Sequence, residues 1–124
     1  MSEVKVTTIS NVGGTKSIPS ETVIAGSAKA WVNFDGTTNT GGLCTIRDDF
    51  NVSSITDNGT GDYSANFDTA MSNANYCAVA NTGGTNDACM VNYSYSTSSV
   101  RVRSIQFGVA LYDNIYVNIV VFGN

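Results

Sequence analysis

From residue 28 onward, apolar and polar positions alternate in short runs separated by turn-forming residues, a period-two pattern that predicts strands. Ala28, Ala30, Val32 and Phe34 share one face of the first strong run, and Lys29, Trp31 and Asn33 share the other, so Trp31 stands opposite the obvious core face. Residues 35–42 are expected as a loop, and 43–47 and 50–56 as strands. Ser53-Ser54 interrupts the second of these as a β-bulge would. The run Asp57-Asn58-Gly59-Thr60-Gly61 turns the chain, because Asn-Gly tolerates the positive φ of tight hairpins. Residues 62–67 then return antiparallel with Tyr63, Ala65 and Phe67 inward. Residues 75–80 and 88–95 read as a hairpin around the polar loop 81–87, and 100–107 and 114–122 complete the set.

The last run differs from the others. Ile115, Val117, Ile119 and Val121 make one apolar stripe, yet Tyr116, Val120 and Phe122 make the opposite stripe apolar too. A strand that is apolar on both faces needs a second covering layer. Two covers fit the residues: a neighbouring subunit, or a loop of the same chain. The first is simpler for a chain this short, and it assigns Trp31, Tyr116, Val120 and Phe122 to a subunit interface. Residues 1–27 break the pattern. Val4, Val6 and Ile9 alternate weakly, and Gly13-Gly14-Thr15-Lys16-Ser17-Ile18-Pro19-Ser20 supplies breakers and the only proline. The expected organisation is therefore an N-terminal arm or attachment segment over 1–27 and one β-sandwich domain over 28–124, with no internal repeat.

Composition supports an all-β chain. Gly, Ser, Thr and Asn fill 54 of 124 positions, and Val and Ile number 22 against two Leu, a mixture that serves turns and pleated strands better than helices. A net charge of −4 gives no basic footprint, which excludes nucleic acid as an expected partner. The longest apolar run, Tyr76 to Ala80, is five residues, well short of the ~20 that span a bilayer as a helix. No apolar leader follows Met1, so synthesis in a cytosol without export by the secretory route is expected. Three cysteines, Cys44, Cys77 and Cys89, leave at least one sulfur unpaired, and all three are expected as reduced, semi-buried small hydrophobes.

Catalytic chemistry is hard to assemble from these residues. The absence of histidine removes Ser-His-Asp and Cys-His arrangements and most zinc sites. The adjacent carboxylates Asp48 and Asp49 would point to opposite sides of an extended chain. No cofactor and no enzymatic activity are expected. The loop from Asp57 to Asp62 superficially resembles a calcium loop but lacks the terminal Glu of an EF-hand, so a plain hairpin turn is favoured. Tyr93 and Tyr95 share a strand face with Cys89 and Val91, and Tyr112 neighbours Asp113 and Asn114. Tyrosine beside amides and carboxylates suits sugar recognition, although core rings with phenols at the rim are the favoured reading of Tyr93 and Tyr95. Asn86, Asp87, Tyr112, Asp113, Tyr93 and Tyr95 are the candidate binding residues. Arg101 and Arg103 lie on one strand face, suited to an acidic polymer or to pairing with Asp residues, the latter favoured.

Several segments together resemble a module of tail-fibre and other virion proteins of tailed bacteriophages. They are Gly14-Thr15-Lys16-Ser17-Ile18-Pro19, Gly26-Ser27-Ala28-Lys29-Ala30-Trp31-Val32-Asn33-Phe34, and the stretch Phe50-Asn51-Val52-Ser53-Ser54-Ile55-Thr56-Asp57-Asn58-Gly59-Thr60-Gly61-Asp62-Tyr63. Asn66-Phe67, Ala70-Met71, Ala74-Asn75-Tyr76 and Val121-Phe122-Gly123-Asn124 extend the likeness over roughly residues 14–124. The resemblance implies a β-rich, homotrimeric distal domain, here an antiparallel, jelly-roll-like sandwich, that serves host adhesion or particle structure without catalysis. It also implies a virion location after synthesis in the host cytoplasm, and a host surface glycan or protein as partner. Only about a dozen residues precede the match, with no shaft or capsid-anchoring domain, so the chain is expected to be either a short standalone virion protein or a piece of a longer one, and in the first case attachment to other virion proteins through residues 1–27 is expected. The alternative is a capsid decoration or spike protein held by that arm.

Overall fold

The computed structural model describes residues 1–84, 88–106 and 110–123. Two short strands, β1 (Thr8–Ser10) and β2 (Ser17–Pro19), form a hairpin that runs into a seven-residue helix, α1 (Ser20–Gly26). There follow β3 (Ala28–Thr40), β4 (Leu43–Phe50), β5 (Val52–Gly59), β6 (Asp62–Phe67), β7 (Cys77–Gly83), β8 (Ala88–Tyr95), β9 (Ser99–Gln106), β10 (Ala110–Leu111) and β11 (Tyr116–Phe122). The chain is all-β, as the pattern predicts.

Strands β3 to β6 run as a meander. Beyond β6 the sheet continues through β9, which β8 flanks on its far side. Beyond β3 it continues through β11 to β7, and every pairing is antiparallel. The two ends meet where Asn92 Nδ2 donates to the Ala78 carbonyl at 2.7 Å and Thr82 Oγ1 donates to the Ala88 carbonyl at 3.1 Å. The result is a nearly closed, barrel-like sandwich. Inside it, Phe34, Ile55, Tyr63, Val100, Val102, Val117 and Val121 are completely buried, and the Phe34 and Tyr63 rings meet edge to face at 5.2 Å. The inward set Tyr63, Ala65 and Phe67 is as the sequence predicts.

Several boundaries differ from expectation, each for a local reason. The stretch 35–42 is not a loop: β3 continues to Thr40 and turns on Gly41 and Gly42, whose φ values of +63° and +85° fit a two-residue hairpin turn. Asp35 absorbs the irregularity, accepting hydrogen bonds from Thr37 N and Thr37 Oγ1. The break between the next two strands falls at Asn51 rather than before Phe50. Asn51 takes a left-handed φ of +56° and repays it by donating from Nδ2 to the Lys29 and Thr69 carbonyls while its Oδ1 accepts from Thr69 N. The bulge at Ser53 is present, since Val52 pairs Phe67 and Ser54 pairs Asn66. Strand β7 extends to Gly83, through half of the expected loop, and β8 takes its register from β9 rather than from β7. Residues 85–87 and Phe107, parts of an expected loop and strand, lie outside the described residues, as does Asn124.

Ile115, placed by periodicity on the inner stripe of the last strand, is exposed because it precedes β11 on the segment that crosses the barrel mouth. That crossing is tightly held. Asp113 Oδ1 accepts from Gly61 N at 2.6 Å and from the buried Tyr63 phenol at 2.8 Å, and Gly36 N donates to the Asn114 carbonyl at 2.9 Å. Asn114 Nδ2 donates to Ser104 Oγ. Burial, and then the hydrogen bond and charge of Asp113, push the Tyr63 phenol pKa upward, so it stays a donor. Glycine is required where the strap touches the barrel: a Cβ at Gly61, which also has φ +63°, would lie 2.6 Å from Tyr112 N.

Two substitutions test this strap. Tyr63→Phe removes the donor to Asp113 and is expected to lower unfolding free energy by about 1–3 kcal/mol in urea titrations. Gly61→Ala is expected to cost more than about 2 kcal/mol, because both φ and the neighbouring backbone oppose it.

Candidate functional site

The barrel presents two outer faces of unlike chemistry. On the β7–β11–β3–β4 face, the register sets Val79 beside Val120, Val120 beside Trp31 and Trp31 beside Phe50, an apolar row running straight across four strands. Val79 and Phe50 are each 53% exposed, Trp31 and Phe122 are each 37% exposed, and Val120 is half-buried. No segment of the described residues covers them. One register step away the row becomes amide: Asn33 Nδ2 donates to Asn118 Oδ1, and Asn118 Nδ2 donates to Asn81 Oδ1 at 2.9 Å. Val79, Val120 and Trp31 of the first row and the three asparagines of the second line a groove of about 340 Å³. Tyr116 closes the face at its far end, its ring 4.4 Å beneath the Arg47 guanidinium, which also pairs with Asp35 at 2.9 Å. All four residues read as interface from the sequence, Trp31, Tyr116, Val120 and Phe122, therefore lie on this one face.

The opposite face, across β8, β9, β6 and β5, is polar. Asp62, only 5% exposed, accepts from Arg101 Nε at 2.7 Å, Arg101 Nη2 at 2.9 Å and Arg103 Nε at 2.7 Å. Burial alone would raise the Asp62 pKa, but the hydrogen bonds and charges of Arg101 and Arg103 prevail and hold it below the ordinary value. A register shift in β8 between Asn92 and Ser94 puts Tyr93 in a bulge over the pair, its ring centroid 3.6 Å from Arg103 Cζ and 5.1 Å from Arg101 Cζ. Beside them, Asn66 Nδ2 donates to Ser54 Oγ and Thr56 Oγ1, and Asn58 Nδ2 donates to Ser64 Oγ.

The six candidate binding residues do not form one site. Tyr112 and Asp113 border a cavity of about 360 Å³ at the barrel mouth, with Thr37, Gly84 and Asn114. Asp113 is less available than expected, because the carboxylate oxygen Oδ1 is committed to Tyr63 and Gly61. Asn86 and Asp87 lie outside the described residues. The bulge separates Tyr93 from Tyr95: Tyr95 lies against Tyr76 with centroids 5.2 Å apart, whereas Tyr93 covers the arginines. The expectation that both share a face with Cys89 and Val91 is corrected accordingly. Arg101 and Arg103 pair within the chain, and the partner that sequence reasoning left unnamed is Asp62.

The remaining chemistry-bearing residues are dispersed. Asp57 accepts from Gly59 N and from Asn39 Nδ2, so the Asp57–Asp62 loop behaves as a hairpin turn with its carboxylates engaged elsewhere. Among the described residues, no three His, Cys, Asp or Glu side chains converge as metal ligands do. Cys44 is buried, and desolvation followed by the charges of Asp57, Asp113 and Asp35 pushes its thiol pKa up to about 12. Cys77 and Cys89 are exposed rather than semi-buried, because each points outward from its strand. Comparison of the chain with protein-family models, curated proteins and solved structures found no match in any of the three.

The lowered Asp62 pKa sets an acid limit. A depressed folded-state carboxyl contributes stability that is complete above its unfolded value, near the ordinary 3.8, and is lost as pH falls through the folded pKa. The melting temperature is therefore expected to drop between about pH 5 and about pH 2. Asp62→Asn should shrink that drop, as read by thermal melts across the range, while Asp35, also held low, retains its share.

Proposed function

We propose that this chain is a non-enzymatic structural protein of a bacteriophage virion, a tail-fibre or receptor-binding component that contacts the host surface. The observation that carries the reading is the uncovered apolar row Val79–Val120–Trp31–Phe50. A large apolar patch bordered by an amide row is the surface of a subunit contact. Association of copies through Trp31, Val120, Phe122 and Tyr116 into a jelly-roll-like homotrimer would bury this row and leave the polar β8–β9–β6–β5 faces outward toward a glycan or protein of the host. The resemblance to phage virion modules supports the same assignment.

A second reading has its own observation. Every residue of the 1–27 arm except the half-buried Ser20 is exposed, including Val4, Val6, Ile9, Val12, Val23 and Ile24. A hairpin of three-residue strands and a seven-residue helix lack the packing to be stable by themselves. Such an arm suits docking onto another virion protein, as in a capsid decoration or spike protein.

Light-scattering mass of the purified chain is expected to be three times 13.0 kDa. Trp31→Glu should yield a folded monomer with an unchanged circular-dichroism spectrum. A wild-type monomer would overturn the assembly. Immunogold labelling of particles separates the readings, tail-tip labelling supporting the fibre and capsid labelling the decoration protein.

A further inference from the structure

We propose that the Tyr93–Arg103 surface on the polar face binds a carboxylate-bearing sugar, a hexuronate or nonulosonate residue of a surface glycan. The inference rests on the host-contact reading and names the ligand class for it.

Charge is the first argument. Asp62 supplies one negative charge against the two guanidinium groups of Arg101 and Arg103, so the cluster keeps one net positive charge on a chain whose total is −4. A single local cation suits one carboxylate and is too little for a polyphosphate, which needs an extended basic track. Donor geometry is the second. Asp62 engages Arg103 only through Nε, and neither Nη group of Arg103 has an acceptor among the described residues, although the side chain is 29% exposed. Guanidinium forks of this kind take carboxylates through paired charge-assisted hydrogen bonds.

Preorganisation is the third argument. Asp62 holds Arg103 from one side and the Tyr93 ring lies 3.6 Å over its centre, so the long side chain is already fixed before a ligand arrives. Less rotamer entropy is then lost on binding. Tyr93 itself is 53% exposed and offers an apolar wall for a pyranose ring. Next to it, in register across the sheet, come Arg101, Ser64 and Thr56, with Asn58, Asn66 and Ser54 bonded among them. This lattice of hydroxyl and amide groups matches the remaining sugar hydroxyls. A purely structural ion triad would account for Asp62 and Arg101, but not for a bulge that presents a tyrosine to solvent over the second guanidinium.

The full-length protein should be titrated calorimetrically with oligosaccharides of galacturonate, glucuronate and N-acetylneuraminate, and with their carboxyl-reduced neutral counterparts. At least one acidic sugar is expected to bind, with its neutral counterpart weaker by about tenfold or more. Arg103→Gln should lose about tenfold in affinity, with a lowered melting temperature because Asp62 loses one of its two cationic partners, and the exposed-site variant Tyr93→Leu several-fold with a near-native melting curve. If Arg103→Gln fails to fold, Tyr93→Leu and the neutral sugars still decide. No binding of any acidic sugar, equal binding of the reduced sugars, or displacement by inorganic phosphate at equal concentration would overturn the inference. Particle labelling is independent: labelled tails without uronate binding sink this site alone, and binding by a protein absent from particles sinks the host-contact reading alone.

Discussion

The contact between the Tyr63 phenol and the Asp113 carboxylate fixes where the chain stops crossing the barrel mouth and begins its last strand. Strand β11 must slot between β3 and β7, which lie far from it in sequence, and a slip of one residue would turn every side chain to the wrong face. Asp113, Asn114 and the close approach of Gly36 and Gly61 leave the strap one way to lie. With β11 so registered, Val117, Ile119 and Val121 enter the core. Tyr116, Val120 and Phe122 then necessarily face out, so the apolar exterior follows from the anchor that builds the interior.

How much of this was legible in the sequence depends on the range of the signal. Period-two patterning located most strands, and Asp62–Phe67 and Ala88–Tyr95 to the residue, because side-chain alternation is a local property. The Ser53 bulge was visible as a break in alternation. The left-handed turn at Asn51 was not, since asparagine is common in this chain and only its bonds to Lys29 and Thr69 single it out. The stretch 35–42 read as a loop because its polar residues hide a strand that ends in paired glycines. Arg101 and Arg103 were seen to share a face, but their tie to Asp62, some 40 residues earlier, is a pairing that only the β6–β9 register creates. Tyr95 was misassigned because the bulge at Tyr93, which turns it off the face of Cys89 and Val91 and against Tyr76, leaves no trace in the pattern.

The two outer faces of this small chain differ in chemistry. Both are built from the same antiparallel sheet, and they differ only in what the outward positions carry: Trp31, Val79, Val120 and Phe50 on one side, Asp62, Arg101, Arg103 and the Ser, Thr and Asn groups on the other. Two hydrogen bonds link the Asn33–Asn118–Asn81 row, while Asn33 Oδ1 and Asn81 Nδ2 keep free capacity among the described residues. The row therefore suits the wet polar rim of a contact rather than its dry centre.

The meeting of β7 and β8 has a further consequence. An open sheet offers its rim of unpaired amide and carbonyl groups to any passing strand and so invites amyloid-like stacking. Here the two rims lie against each other, bridged by Asn92 and Thr82. Growth of an endless ribbon through these two rims is thereby opposed, whatever the outer faces contact.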